Sequence, residues 1–240
     1  MDLTTAALAG AGATGADVEK FVRGARRRAR DAGRLLVLED LLAEMGDGDK
    51  RGRSDMWIAA AHEAGHAVAW LELRLGTLSA VSLRAVGSSG GVTVATGSRR
   101  GLTESGIRRR LIARLAGRAS EEILLGEPTS GAGGDSDSDL AIATRLAVTA
   151  ATALGLDPHV GLLWSGLPSD STVADMLQQI PGLAVRIRQV VDAAYAEALA
   201  LIRRRAAAVE ALAAVLLDRL ALDGHEVEAI VARHPGPQQL

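Results

Sequence analysis

The sequence predicts a mainly α fold carrying a small β element, preceded by a short helical unit, and three observations predict it. Hydrophobic residues make up 48% of the 240 but aromatic residues only 2%, so the core has to be built from Ala, Leu, Val and Ile. Ala and Leu favour helix, whereas strand-rich folds draw more on β-branched and aromatic side chains. Apolar residues also recur at three- and four-residue spacing along most of the chain and alternate in only one short region.

Residues 1–45 read as the short helical unit. Thr14-Gly15-Ala16-Asp17 is a turn leading into a helix whose Val18, Phe21, Val22 and Ala25 share one face. Asp17 and Glu19 lie at its start and Arg26, Arg27, Arg28 and Arg30 toward its end, as the helix dipole prefers. Gly33 stops it, and a second short helix follows over 38–45. Residues 46–53 are polar and Gly-rich and form a linker. The main domain spans 54–240. Its first helix takes Ser54 or Asp55 as N-cap and passes through His62 and His66 toward Leu75 and Gly76. Strands over 78–85 and 91–96 flank a turn at 87–90. Thr103 caps a long helix through Leu125, stopped by Gly126 and Pro128. A loop rich in Ser, Gly and Asp, 129–138, precedes a helix over 139–154. Residues 174–231 are helical, broken near Pro181 and at Asp223-Gly224.

Composition removes several function classes. With 27 basic and 29 acidic side chains the net charge is −2 and the isoelectric point near 6.2. That argues against nucleic-acid binding through bulk charge; the arginines at 108, 109, 110, 114 and 118 read as a solvated helix face. There is no cysteine, hence no disulfide, thiolate nucleophile or all-Cys metal site. Any metal has to be held by His, Asp or Glu. No apolar run reaches the ~20 residues of a membrane span, and the first residues lack the layout of a signal peptide. A soluble chain in the cytoplasm is the expectation, membrane-associated only if a longer native chain carries an anchor.

His62-Glu63-Ala64-Gly65-His66 is an HExxH sequence inside a helical pattern. Residues four apart share a helix face, so both imidazoles can reach one Zn2+. Glu63, one step from the first histidine, is placed to take a proton from water without being a ligand. Gly65 between them costs about 1 kcal/mol in a helix relative to Ala and implies close packing. Catalysis needs an open coordination position, hence three protein ligands. Local spacing leaves the third open among Glu121, Glu122, Asp135, Asp137 and Asp139. His159, His225 and His234 have no partner at ligand spacing.

Several ordered segments extend the pattern. Residues 61–68 resemble the active-site helix of FtsH-type ATP-dependent zinc metalloproteases, and Gly90-Gly91-Val92-Thr93 is similar to the strand that follows it in that family. Residues 115–122 with Gly126 resemble its LGGRAAEE…G segment. Thr129-Ser130-Gly131-Ala132 followed by 139–144 resembles its TTGA…NDL..AT segment, although the stretch 133–138 is a few residues longer. Leu222-Asp223-Gly224-His225-Glu226 is similar to the family's LDG pattern, and residues 10–45 resemble the helical lid closing its ATPase module.

The resemblance implies that His62, His66 and Asp139 hold Zn2+ and that Glu63 is the general base; because the stretch 133–138 is longer than the family's, Glu122 stands as runner-up third ligand. It implies that Val92, Thr93, Val94 and Ala95 form an edge strand binding unfolded polypeptide by main-chain pairing. It also implies a homo-oligomer, a hexameric ring. The sequence has no GxxxxGK[ST] loop, its only lysines being Lys20 and Lys50, so ATP binding of that kind is not encoded in these residues. The expected function is therefore zinc-dependent endopeptidase action on unfolded or unneeded proteins, coupled to an ATPase module not present in this chain. The alternative is a non-catalytic assembly or substrate-binding module keeping the same fold. Zinc binding should weaken as the histidines protonate, near and below about pH 6.5.

Overall fold

The computed structural model describes residues 6–7, 10, 13–46, 51–83, 91–97 and 102–236. The expected turn at 87–90, the end of the first expected strand and the centre of the linker lie outside them.

Helices α1 (Gly15–Asp31) and α2 (Leu38–Gly46) pack on each other. The Thr14 hydroxyl accepts from the Asp17 N–H while the Asp17 carboxylate accepts from the Thr14 N–H, a reciprocal cap that starts α1. Arg34 grips the buried Asp40 carboxylate with two nitrogens at 2.7 and 2.8 Å, fixing the connection between the pair.

The next helix, α3 (Arg53–Glu72), is capped by Gly52, two or three residues before the expected Ser54 or Asp55, and ends three before Leu75. Strands β1 (Thr77–Ser82) and β2 (Val92–Thr96) pair antiparallel with an irregularity between Leu78 and Ala80. Helix α4 (Glu104–Leu125) is capped by Thr103, whose hydroxyl accepts from the Gly106 N–H at 3.1 Å, and ends at left-handed Gly126, as the sequence predicts. A 3₁₀ turn (Ser130–Ala132) leads to α5 (Asp139–Thr152) and α6 (Val173–Gln179).

The C-terminal half departs from expectation twice. The helical run breaks at Arg205 between α7 (Leu183–Arg204) and α8 (Ala206–Arg219), where no local helix breaker stands. The turn is held by tertiary bonds: Arg205 pairs with Glu72 at 3.3 Å and donates to the Val231 carbonyl at 3.1 Å. A third strand, β3 (Ala221–Asp223), then pairs with β1 before α9 (Gly224–Arg233). Three residues are too few to display a period of two. Gly224 is required there, because a Cβ would collide with the Leu78 carbonyl.

The sheet order is β2-β1-β3, which leaves β2 at an edge. Helices α3 and α4 form the central pair, with α7 and α8 packed around them. Ala60, Ala64 and Ala67 of α3 and Leu115, Ala116 and Ala119 of α4 are all buried in the core, and Gly65 of α3 lies against the Ala116 carbonyl and Ser120 of α4. Small side chains let the two backbones approach, and this closeness builds the site.

Candidate metal centre

Helix α3 presents His62 and His66 on one face, their rings edge to face with centroids 4.7 Å apart. Asp139, the first residue of α5, is delivered to them by Ser138, which caps that helix. His62 Nε2, His66 Nε2 and Asp139 Oδ2 stand 2.9–3.0 Å from one another. This trio is the one group of potential metal ligands found among the described residues.

The other ring nitrogens are committed elsewhere. His62 Nδ1 lies 2.6 Å from Glu121 Oε1, and His66 Nδ1 lies 2.9 Å from the Ala113 carbonyl oxygen. In the neutral rings an oxygen acceptor at Nδ1 places the proton there, so both Nε2 lone pairs face each other and a carboxylate oxygen. Three electron-rich atoms in one spot call for a cation. Ligands about 2.0–2.1 Å from a tetrahedral zinc stand roughly 3.3 Å apart, so the donor set fits that ion after opening by a few tenths of an ångström.

The electrostatics agree. Burial opposes a charge on the His62 ring, but Asp139, Glu121 and Glu63 outweigh it and push the imidazole up to about 10. Burial likewise opposes ionisation of Asp139, yet His66 and His62 hold its carboxyl well below the usual range. Glu121 is also lowered against its burial, by His62 and by the Thr129 N–H that donates to its Oε2 at 2.6 Å. A proton competes with metal here at higher pH than free histidine would allow.

Helix α4 supplies the surroundings from one face, residues 113, 114, 117 and 121 following helical spacing. Ala113 holds His66, Glu121 holds His62, and Arg114 donates to Asp139 Oδ1 at 3.1 Å. Gly117 leaves the space: a Cβ there would sit 2.5 Å from His66 Nε2 and 2.6 Å from His62 Nε2. Gly65 lies in the helix contact, where a Cβ would be 2.5 Å from the Ala116 carbonyl oxygen and 2.6 Å from Ser120 Oγ. The close packing expected at that glycine is thus present.

Glu63 is buried beside the trio, its Oε2 accepting from the Thr93 hydroxyl at 2.8 Å. Gly91 permits this approach, since a Cβ would fall 2.7 Å from Glu63 Cγ. Thr93 therefore ties strand β2, which spans Val92, Thr93, Val94 and Ala95, to the residue after the first histidine. A cavity of about 760 Å3 opens over the centre, its apolar lining including Ile58, Trp70, Ile107, Ile142 and Leu146.

The remaining candidates go elsewhere. Glu122, the runner-up, accepts from the Tyr195 hydroxyl at 2.6 Å and takes no part in the trio. It points away because it lies one step, about 100°, around α4 from Glu121. Asp135 and Asp137 are exposed loop residues. His225 is exposed, and His234 bonds the Ile230 carbonyl oxygen at 3.0 Å. Sequence reasoning missed Arg114, which it read as solvated, as well as Gly117 and the Ala113 carbonyl. A signal existed for the first two in their helical spacing from Glu121, whereas a backbone carbonyl leaves none.

Comparison with known proteins gives a consistent picture. The model of peptidase family M41 matches residues 53–230. The chain is 31% identical over 251 residues to "ATP-dependent zinc metalloprotease FtsH" of Thermobaculum terrenum, covering 96% of this chain and 38% of that protein. It is 31% identical over 261 residues to the protein of that name from Acidothermus cellulolyticus, covering 100% and 39%. Against "ATP-dependent zinc metalloprotease FtsH 1" of Symbiobacterium thermophilum identity is 38% over 182 residues, covering 74% and 29%. The chain thus spans about two fifths or less of the length of these relatives.

Proposed function

Because the chain belongs to peptidase family M41, we propose that it is a zinc-dependent endopeptidase acting on unfolded polypeptides. The observation that carries this reading is the convergence of His62 Nε2, His66 Nε2 and Asp139 Oδ2 beside a buried glutamate. These three residues would hold the ion, which when bound supplies Lewis acidity toward water and the scissile carbonyl.

The chain's own groups do the rest. Thr93 fixes Glu63 through Oε2, leaving Oε1 to take a proton from the attacking water. The water oxygen bonds to the carbonyl carbon, the carbon–nitrogen bond breaks, and the proton passes from Glu63 to the leaving amine. Glu121 and Ala113 hold the two imidazoles in the Nδ1–H tautomer throughout. Substrate lies along the outer edge of β2 and pairs with its main chain. Main-chain recognition carries little side-chain preference, which suits unfolded proteins.

The names of the relatives carry ATP dependence. Without a GxxxxGK[ST] loop in these residues, nucleotide hydrolysis would come from an ATPase module outside them, with α1 and α2 as part of its lid. The unit at 1–45, the linker at 46–53 and a peptidase domain from 54 follow from that reading, as does a homo-oligomeric, six-membered ring. No helix among the described residues is long and apolar enough to cross a membrane.

The test is metal content and hydrolysis in parallel. About one zinc per chain and cleavage of an unfolded protein such as casein are expected, with Glu63→Gln retaining zinc but losing cleavage and Asp139→Asn losing zinc. A wild-type protein that takes up no zinc, or a Glu63→Gln variant with full activity, overturns the reading. Binding of unfolded chains without cleavage by the zinc-loaded protein would indicate a non-catalytic module instead.

A further inference from the structure

Resting on the metal-centre reading above, we infer that Arg114 is a positioning residue that holds Asp139 as a one-oxygen ligand and so keeps a coordination position open. Each member of the trio has its own partner on one face of α4: Glu121 for His62, the Ala113 carbonyl for His66 and Arg114 for Asp139. The first two fix ring tautomers. The third does something different, because a carboxylate can offer a metal either one oxygen or two.

The two oxygens of Asp139 are separated by their partners. Oδ2 faces both imidazole nitrogens at 2.9 and 3.0 Å, while Oδ1 accepts from Arg114 Nη1 at 3.1 Å. A charge-assisted bond of this kind is stronger than a neutral one and directional. With Oδ1 engaged, swinging the second oxygen onto an ion held by Oδ2 and the histidines would cost the bond to Arg114. Three ligand atoms then remain, the number that leaves room for water at a catalytic zinc site. Arg114 is 43% exposed at its side chain and lines the cavity, so its contribution to folding is that of a surface ion pair, which is small. Its placement beside Asp139 follows from the helical turn that also presents Ala113 and Gly117.

The experiment compares wild type, Arg114→Met and Arg114→Lys, each loaded with cobalt in place of zinc. Visible absorption of cobalt reports coordination number directly, the four-coordinate ion absorbing most strongly. Arg114→Met should show the weaker, blue-shifted spectrum of a higher coordination number, and kcat should fall about 10- to 100-fold with KM little changed. Arg114→Lys, which keeps a charged donor but not the planar fork, should recover part of both. All three proteins should melt together. A cobalt spectrum in Arg114→Met identical to wild type overturns the inference, as does a fall in melting temperature that lysine fails to rescue. Failure of the wild type to bind cobalt or zinc would instead overturn the underlying reading of the metal centre.

Discussion

Replacing Gly117 by alanine separates metal binding from folding. The added Cβ would stand 2.5 Å from His66 Nε2, 2.6 Å from His62 Nε2 and 2.7 Å from His62 Cε1. Ordinary carbon–nitrogen contact is about 3.4 Å or more, so the overlap is nearly 1 Å with both ligand atoms at once. In the metal-free protein the imidazoles can turn toward the cavity to relieve it, at the cost of the bonds that Glu121 and the Ala113 carbonyl make to them. With metal they cannot, because Nε2 must point at the ion. The overlap therefore acts on the bound state, and overpacking of this order costs about 1–3 kcal/mol. At roughly 1.4 kcal/mol per factor of ten, zinc affinity should fall about 5- to 150-fold. Folding should lose less than zinc binding does, since alanine gains about 1 kcal/mol of helix propensity over glycine and so offsets part of the cost of moving the rings. Competition with a chromophoric chelator gives the zinc Kd and a thermal melt of the metal-free protein gives stability. A Gly117→Ala protein with wild-type zinc affinity would refute the argument that this glycine makes room for the ion.

Gly65→Ala should do the reverse, because its Cβ would press on the Ala116 backbone carbonyl, which cannot turn aside; we expect a loss of up to about 2 kcal/mol in denaturant unfolding, propensity included. Glu121→Gln should weaken zinc binding about 10- to 100-fold by loosening the His62 ring, whereas Glu122→Gln should leave the zinc Kd unchanged. His62 is raised to about 10, so its charged form stabilises the metal-free fold fully below about pH 6.5 and that contribution is lost as pH rises through about 10. Zinc has to displace this proton, so affinity should climb about tenfold per pH unit across that window, and calorimetry in buffers of differing protonation heat should find about one proton released. Asp40 is lowered to about 2 by Arg34 and by the Val37 N–H, so its contribution is present above about pH 4 and lost as pH falls through about 2; in Arg34→Gln, circular dichroism should show α1 and α2 melting at higher pH than in wild type.

The sequence by itself determined what is written in local chemistry. Helical spacing put His62 and His66 on one face, Thr103 and Gly126 bounded α4, and the scarcity of aromatic residues implied the close helix packing that Ala60, Ala64 and Ala116 provide. These depend on side chains within one or two turns of each other, where propensity and capping decide. Tertiary structure decided the rest. Asp139 is 73 residues from His66 and joins it because α5 starts where the loop from Thr129 ends. Glu121 and Glu122 are adjacent in sequence and equal in chemistry, yet one orients a ligand and the other accepts from Tyr195. Only the rotation of α4 against α3 tells them apart. The break at Arg205, the three-residue strand β3 and the turning of Arg114 toward the cavity share that origin. Each is stabilised by partners remote in sequence, and a residue's neighbours along the chain carry no record of which partners those are.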